Sequence, residues 1–205
     1  LLGKDYEDLK LIVCHLGNGA SVSAVKNGKC VDTSMGLTPL EGLIMGTRSG
    51  DLDPAIIEFL CKKEEKSVGE ILGELNKKSG VLGLSGGFSS DFRDLEEEFH
   101  KDSEFAVRTM KAFAYRVAKY IGAYTAAMNG VDAVCFTAGL GENSGFIREK
   151  ICAYLGYLGI TLDPEANGVR GQELDITTAE SRTRVLVIPT NEELAIARET
   201  YALVK

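Results

Sequence analysis

The residues best suited to chemistry lie in two glycine turns, one arginine loop and one acidic helix start. The first turn is Cys14-His15-Leu16-Gly17-Asn18-Gly19-Ala20-Ser21, and the second is Phe136-Thr137-Ala138-Gly139-Leu140-Gly141-Glu142-Asn143-Ser144. Each follows an apolar run. Glycine has no Cβ, so the backbone bends sharply there and comes close to a bulky anion. Successive N–H groups of such a turn can point at phosphate oxygens. Two of them in one chain imply a nucleotide held between. His15 ends a strand ahead of Gly17 and Gly19, which suits either a phosphate contact or a satisfied structural role. Arg48 sits in Gly46-Thr47-Arg48-Ser49-Gly50-Asp51. Its planar guanidinium suits a transferring phosphoryl group, and the plainer alternative is a pair with Asp51 or Asp53. Glu192, on the first turn of the last helix, either complements the helix dipole or holds Mg²⁺ through water. His100 lies on an acidic helix face and is read as structural.

The elements that must position these groups follow from the pattern. Leu11 to Cys14 is a short apolar run, read as a buried strand. Residues 20–25 and 30–34 form a hairpin around Asn27-Gly28, a strong two-residue turn signal. Residues 35–53 show no sustained period and read as a long ordered loop, a length that is usually functional. Asp53-Pro54 starts a helix to about Lys63, and Ser67 with Glu70 forms a capping box for a second. Residues 79–90 are rich in Gly and Ser and read as loop. Asp91 caps the next helix. Residues 104–129 are the longest helix, with Ala106, Met110, Phe113, Ala114, Val117, Ile121, Tyr124 and Met128 at helical spacing. A strand over 133–137 leads into the second glycine turn, then a helix over 144–155. Residues 156–180 read as irregular, 184–188 as the last strand, and Thr190 with Glu193 as a capping box for the last helix. Three antiparallel strands, helices, strand, helix, strand, helix is the order of a ribonuclease-H-like unit, an α/β mixed sheet flanked by helices.

Composition narrows the partners. The 205 residues are 44% hydrophobic and 26% charged, ordinary for one globular domain. The net charge of −7 offers no basic stripe for a nucleic acid. Five cysteines, with no C-x-x-C, favour a reducing, cytoplasmic setting without disulfide or zinc. No apolar stretch approaches a membrane span, and no signal peptide is evident. The P-loop pattern G-x-x-x-x-G-K-[ST] is absent. Gly139 to Gly145 is one residue too long for a dinucleotide fingerprint, and the preceding strands are wrong for one. The start at Leu1, without Met, is consistent with a piece of a longer chain.

Taken together, five blocks resemble the acetate kinase family: residues 15–21, 32–42, 46–54, 136–144 and 190–193. The likeness runs in order along essentially the whole chain. It implies an actin- and sugar-kinase-like fold with two ribonuclease-H-like domains, of which residues 1–205 are the single carboxyl-terminal, nucleotide-binding one. It also implies phosphoryl transfer between ATP and acetate, giving ADP and acetyl phosphate, with Mg²⁺. Under the resemblance His15, Leu16, Gly17, Asn18 and Gly19 contact nucleotide phosphates. Asp91, Phe92 and Arg93, with Gly139, Leu140, Gly141, Glu142 and Asn143, line the adenosine side. Arg48 is catalytic, Glu192 helps hold Mg²⁺, and Pro39 walls the acyl pocket. An amino-terminal domain of the same protein and a homodimer partner are expected from it as well, with no nucleic-acid or membrane partner. A propionate or butyrate kinase, or a non-catalytic actin-like module, are the alternatives.

Overall fold

The computed structural model describes residues 1–205. It opens with an antiparallel meander, β1 (Lys10–Leu16), β2 (Ala20–Lys26) and β3 (Lys29–Thr33). The β2–β3 turn places both Asn27 and Gly28 at positive φ, 54° and 72°. Those are the angles a tight hairpin turn of the favoured hand requires. Four helices then precede the long one: α1 (Ala55–Glu64), α2 (Val68–Lys77), α3 (Gly80–Leu84) and α4 (Phe92–Phe99), followed by α5 (Glu104–Met128). The rest is β4 (Ala133–Thr137), α6 (Ala138–Asn143), α7 (Gly145–Cys152), β5 (Leu174–Asp175), β6 (Arg184–Val187) and α8 (Glu192–Val204).

The six strands order as β3-β2-β1-β4-β6-β5. β1, β4 and β6 are mutually parallel, while β2, β3 and β5 run against their neighbours. The carboxyl ends of the three parallel strands therefore lie side by side, the usual place for a ligand in an α/β sheet. This is the ribonuclease-H-like arrangement expected from the element order.

Alternation along the strands decides which face is covered. Ile12, Cys14 and Leu16 of β1 and Ala20, Val22 and Ala24 of β2 are fully buried. They join Met110, Phe113, Val117 and Ile121 of α5 in one cluster. All eight residues picked out by the helical period of α5 are buried. Asn129 closes that helix in the left-handed conformation, φ 55°. On the opposite face Leu11, Val13 and Ile188 are only partly covered and pack around Cys135 and Leu186.

Several local readings change. α3 lies inside the stretch read as loop, because Val81 and Leu82 N–H groups find the Met45 and Gly46 carbonyls and tie the segment to the arginine loop. Residues 156–180 contain β5 and a bridge between Leu162 and Thr177. A two-residue edge strand is too short to show periodicity. The last helix is capped by Asn191, whose side chain accepts from Leu194 N–H at 3.0 Å. Thr190 does not serve there, since its hydroxyl is bonded to Thr137 and to Ala138 N–H.

The cysteines supply a pH prediction. Cys14, Cys135 and Cys152 are buried, Cys61 is half-buried and Cys30 is exposed. Burial pushes the Cys135 and Cys152 thiols up to about 12 and raises Cys14 as well. Above pH ~9 the unfolded chain sheds these protons while the folded chain keeps them, so stability falls as pH rises toward 12. The urea midpoint should drop between about pH 8 and about pH 10.5, and a midpoint that holds or rises would contradict this burial. A thiol reagent should label Cys30 and Cys61 well before the other three.

Candidate nucleotide site

β1 and β4 run in parallel register, with His15 opposite Thr137. Each strand then releases its glycine segment at the same end of the sheet. The first segment is a tight turn in which Gly17 N–H donates to the Gly19 carbonyl at 3.1 Å. A Cβ on Gly17 would stand 3.7 Å from that of Ala138, so the two segments touch. Asn18 is exposed at the tip, while the Leu16 side chain is fully buried. The nucleotide contact expected of Leu16 therefore falls to its backbone.

The second segment is not an open turn. It is the short helix α6, and neither Gly139 nor Gly141 has positive φ. The left-handed residue is Ala138, φ 65°, at the junction between β4 and α6. A non-glycine residue in that region is uncommon and costs energy, and such strain clusters at functional sites. Surrounding hydrogen bonds hold it there. The Glu142 carboxylate accepts from Ala138 N–H at 2.7 Å and from Thr190 N–H at 2.8 Å. Glu142 thus pins the start of α6 to the end of β6, and its carboxylate is engaged within the protein. Asn143 is exposed and donates to the Gly139 carbonyl at 2.8 Å.

Beneath this segment lies a residue that the motifs do not include. Arg148 is fully buried. Its guanidinium donates to Asn167 Oδ1 at 3.0 Å, to the Gly141 carbonyl at 2.8 Å, to the Val169 carbonyl at 2.9 Å and to the Asn167 carbonyl. No carboxylate pairs with it, and burial pushes its pKa down to about 10. Its position on α7, four residues before buried Cys152, marks it as core-facing in the sequence. Arginine is rarely read as core, so the signal is easy to pass over.

The arginine loop completes the site from the other side. Gly46 N–H donates to the Asn18 carbonyl at 3.3 Å. A Cβ on Gly46 would meet the Asn18 Oδ1 atom, so the Asn18 side chain lies directly over this glycine. The Arg48 guanidinium lies against the first turn, with Nη1 3.4 Å from where a Gly19 Cβ would stand and 3.5 Å from Met45 Sδ. Arg48 is half-buried and has no carboxylate partner. Asp51 instead takes Tyr120 and Arg116, and Asp53 accepts from Ala55 N–H at the start of α1. The alternative of a structural Arg–Asp pair is therefore excluded.

The remaining expected residues are dispersed. Asp91 caps α4 by accepting from Arg93 N–H at 2.8 Å and also pairs with the Arg93 side chain at 2.6 Å. The Arg93 hydrogen bonds hold the Asp91 carboxyl below its usual range. The Phe92 ring is buried, edge-on to Phe113 with centroids 4.6 Å apart, so only its backbone can face a nucleotide. α4 does run beside the second segment, since Ser144 Oγ donates to Glu96 at 3.1 Å. Pro39 is exposed beside Leu37, whose side chain is fully exposed. Glu192 is exposed two residues beyond Thr190, and no group of three or more His, Cys, Asp or Glu gathers to cage a metal. A single carboxylate suits a cation held mainly by water and phosphate, as Mg²⁺ usually is.

A mixed sheet of this order, with glycine segments at the carboxyl ends of its parallel strands, defines an α/β protein of the actin and sugar-kinase fold class. The chain belongs to the Acetokinase family, whose sequence profile matches residues 1–198. It is 65% identical over 204 residues to acetate kinase of Agathobacter rectalis, covering 99% of this chain and 51% of that protein. It is 61% identical over 207 residues to acetate kinase of Thermotoga maritima, again 51% of that protein. The crystal structure of Porphyromonas gingivalis acetate kinase superposes with a TM-score of 0.95 at 48% identity, over 100% of this chain and 51% of that one. A propionate kinase from Francisella tularensis subsp. tularensis superposes with a TM-score of 0.86 at 44% identity, over 92% of this chain and 48% of that one. The chain thus spans about half the length of the relatives it matches.

Proposed function

We propose that this chain is the nucleotide-binding half of an acetate kinase, which moves a phosphoryl group between ATP and acetate to give ADP and acetyl phosphate. The observation that carries the proposal is Arg48. It is a half-buried guanidinium without a carboxylate partner, held against the first glycine turn. Phosphoryl transfer needs positioning and charge neutralisation more than covalent help. In this reading the backbone of residues 15–19 holds the phosphates, and His15 adds a hydrogen bond from the strand end. The segment from Ala138 to Asn143, with the start of α4, flanks the adenosine. Arg48 meets the transferring phosphoryl oxygens. Glu192 would hold Mg²⁺ through water, and the bound ion would neutralise phosphate charge. Acetate is favoured over propionate because relatives at 61–65% identity are named acetate kinases.

The acyl side is proposed to come from an amino-terminal domain of the same protein. Two features support that partner. α8 buries none of its residues, leaving Leu194, Ile196 and Tyr201 exposed. The sheet face carrying Leu11, Val13 and Ile188 has no helix over it and opens into a depression of about 600 Å³ that also reaches His15 and Thr190. A homodimer is proposed as well, supported by exposed Ile56 and Phe59 on α1 and Val68 and Leu72 on α2. A cytoplasmic location is supported by five free cysteines.

Calorimetry of residues 1–205 tests the division of labour. Mg-ADP should bind, acetate should not, and turnover should be negligible. Acetate binding or clear turnover by this chain alone would overturn it. Absence of Mg-ADP binding would mean that the two glycine segments do not suffice as a nucleotide site.

A further inference from the structure

We propose that Asp51 is a positioning residue for Arg48, acting as the polar tie between the base of the arginine loop and α5. The proposal rests on the role given to Arg48 above. Asp51 is three residues from Arg48 and uses both carboxylate oxygens. Oδ1 accepts from Gly42 N–H at 2.8 Å, and Oδ2 accepts from the Tyr120 hydroxyl at 2.6 Å. Arg116 Nη1 stands 3.6 Å from Oδ2, and Arg116 Nη2 donates to the Asp51 carbonyl at 3.3 Å. The Asp51 backbone returns the bond, its N–H donating to the Gly42 carbonyl at 3.0 Å. Residues 42 and 51 are thereby clamped together at the base of the loop, and Arg48 rides on the segment they enclose.

The clamp also fixes the loop's internal shape. Met45 N–H donates to the Arg48 carbonyl at 3.1 Å across the loop. Gly50 is left-handed, φ 70°, and a Cβ there would strike the Gly42 and Leu43 carbonyl oxygens at 2.5 Å. Both Tyr120 and Arg116 project from α5, whose buried face makes it the rigid core element of the domain. The carboxylate therefore joins the base of the arginine loop to a rigid helix, while Ser49 N–H to the Leu75 carbonyl at 2.9 Å and Gly46 N–H to the Asn18 carbonyl at 3.3 Å hold the loop to α2 and to the first glycine turn. Asparagine cannot replace Asp51. Its amide offers one acceptor oxygen where the aspartate has two, and its NH₂ would face a donor at either Gly42 or Arg116.

A loosened clamp would let the guanidinium drift, and a displacement near 1 Å at a reacting group can cost about a hundredfold in rate. The test uses the protein at the length of its relatives, with Asp51→Asn, Tyr120→Phe and Arg48→Ala measured for kcat and for Mg-ADP affinity. Asp51→Asn should lower kcat by about a hundredfold and Tyr120→Phe by about tenfold. Mg-ADP affinity should stay within about twofold in both. Arg48→Ala separates this proposal from the reading it rests on. Turnover that survives Arg48→Ala refutes the role of Arg48 itself. Turnover that collapses there but is unchanged in Tyr120→Phe, or that falls only in step with nucleotide affinity, overturns the positioning role of Asp51 and leaves Arg48 standing. Tyr120→Phe removes one hydroxyl and no charge, so it carries the test if Asp51→Asn fails to fold.

Discussion

Arg48→Ala, made in the protein at the length of its relatives, is expected to lower kcat for phosphoryl transfer by about a thousandfold or more. The affinity for Mg-ADP should change by less than about threefold, because the arginine acts on charge that is fully placed only in the transition state. The geometry supports so large an effect. Arg48 is free of any carboxylate that would neutralise it, and it sits half-buried beside the turn expected to hold the phosphates. A charged donor that is already in place needs no reorganisation during the reaction. Arg48→Lys should recover only a minor part of the loss, since an ammonium lacks the planar pair of donors. Steady-state rates with acetate and ATP, paired with calorimetry on Mg-ADP, read both quantities. A variant that keeps its turnover, or that loses nucleotide binding in proportion, would remove Arg48 from the chemistry.

The parts of this fold that were legible in the sequence are those with strong local causes. Asn27-Gly28 specified its hairpin because only residues tolerant of positive φ fit that turn. Ser67 and Glu70 formed the expected capping box, with both reciprocal hydrogen bonds present. The period of α5 named its buried face residue by residue. What escaped was set by tertiary contact. Two glycines in residues 138–143 argue against helix by propensity, yet Glu142 and Arg148 hold that segment from both sides and α6 forms. Thr190 has the spacing of a cap, but its hydroxyl is taken by Thr137 from a neighbouring strand. At the site, the sequence brought out His15, Gly17, Gly19 and Arg48 as candidates, and the fold sets the Arg48 guanidinium against Gly19 and bonds Gly17 N–H to the Gly19 carbonyl, while His15 borders the depression with Leu11 and Val13. It could not show that Phe92 turns inward, or that Glu142 is spent on backbone N–H groups. Nor could it choose between Arg48 and Arg116 as the partner of Asp51, since that choice depends on where α5 passes, sixty-odd residues later in the chain.

Arg148→Ala should destabilise the fold by about 4 kcal/mol, the largest stability effect of any single substitution argued from this structure. Three losses combine. The first is a cavity where a fully buried side chain stood. The second is the orphaning of the Gly141, Asn167 and Val169 carbonyls, which lose the guanidinium as their donor. The third is the tether between α6 and residues 167–169, without which strained Ala138 is free to relax and the second segment to unwind. Relief of the buried charge offsets part of this, since the folded environment already disfavours the charged form. At about 2–4 °C per kcal/mol for a chain of this size, the thermal midpoint should fall by about 8–16 °C. Arg148→Met separates the contributions, because it refills most of the volume and leaves the carbonyls unpaired. It should recover the cavity share and little else. Urea denaturation of wild type and both variants, at matched slopes, measures all three differences. Equal stability of the methionine variant and wild type would show that Arg148 is a filler of space and that the carbonyls beneath the nucleotide segment find other partners.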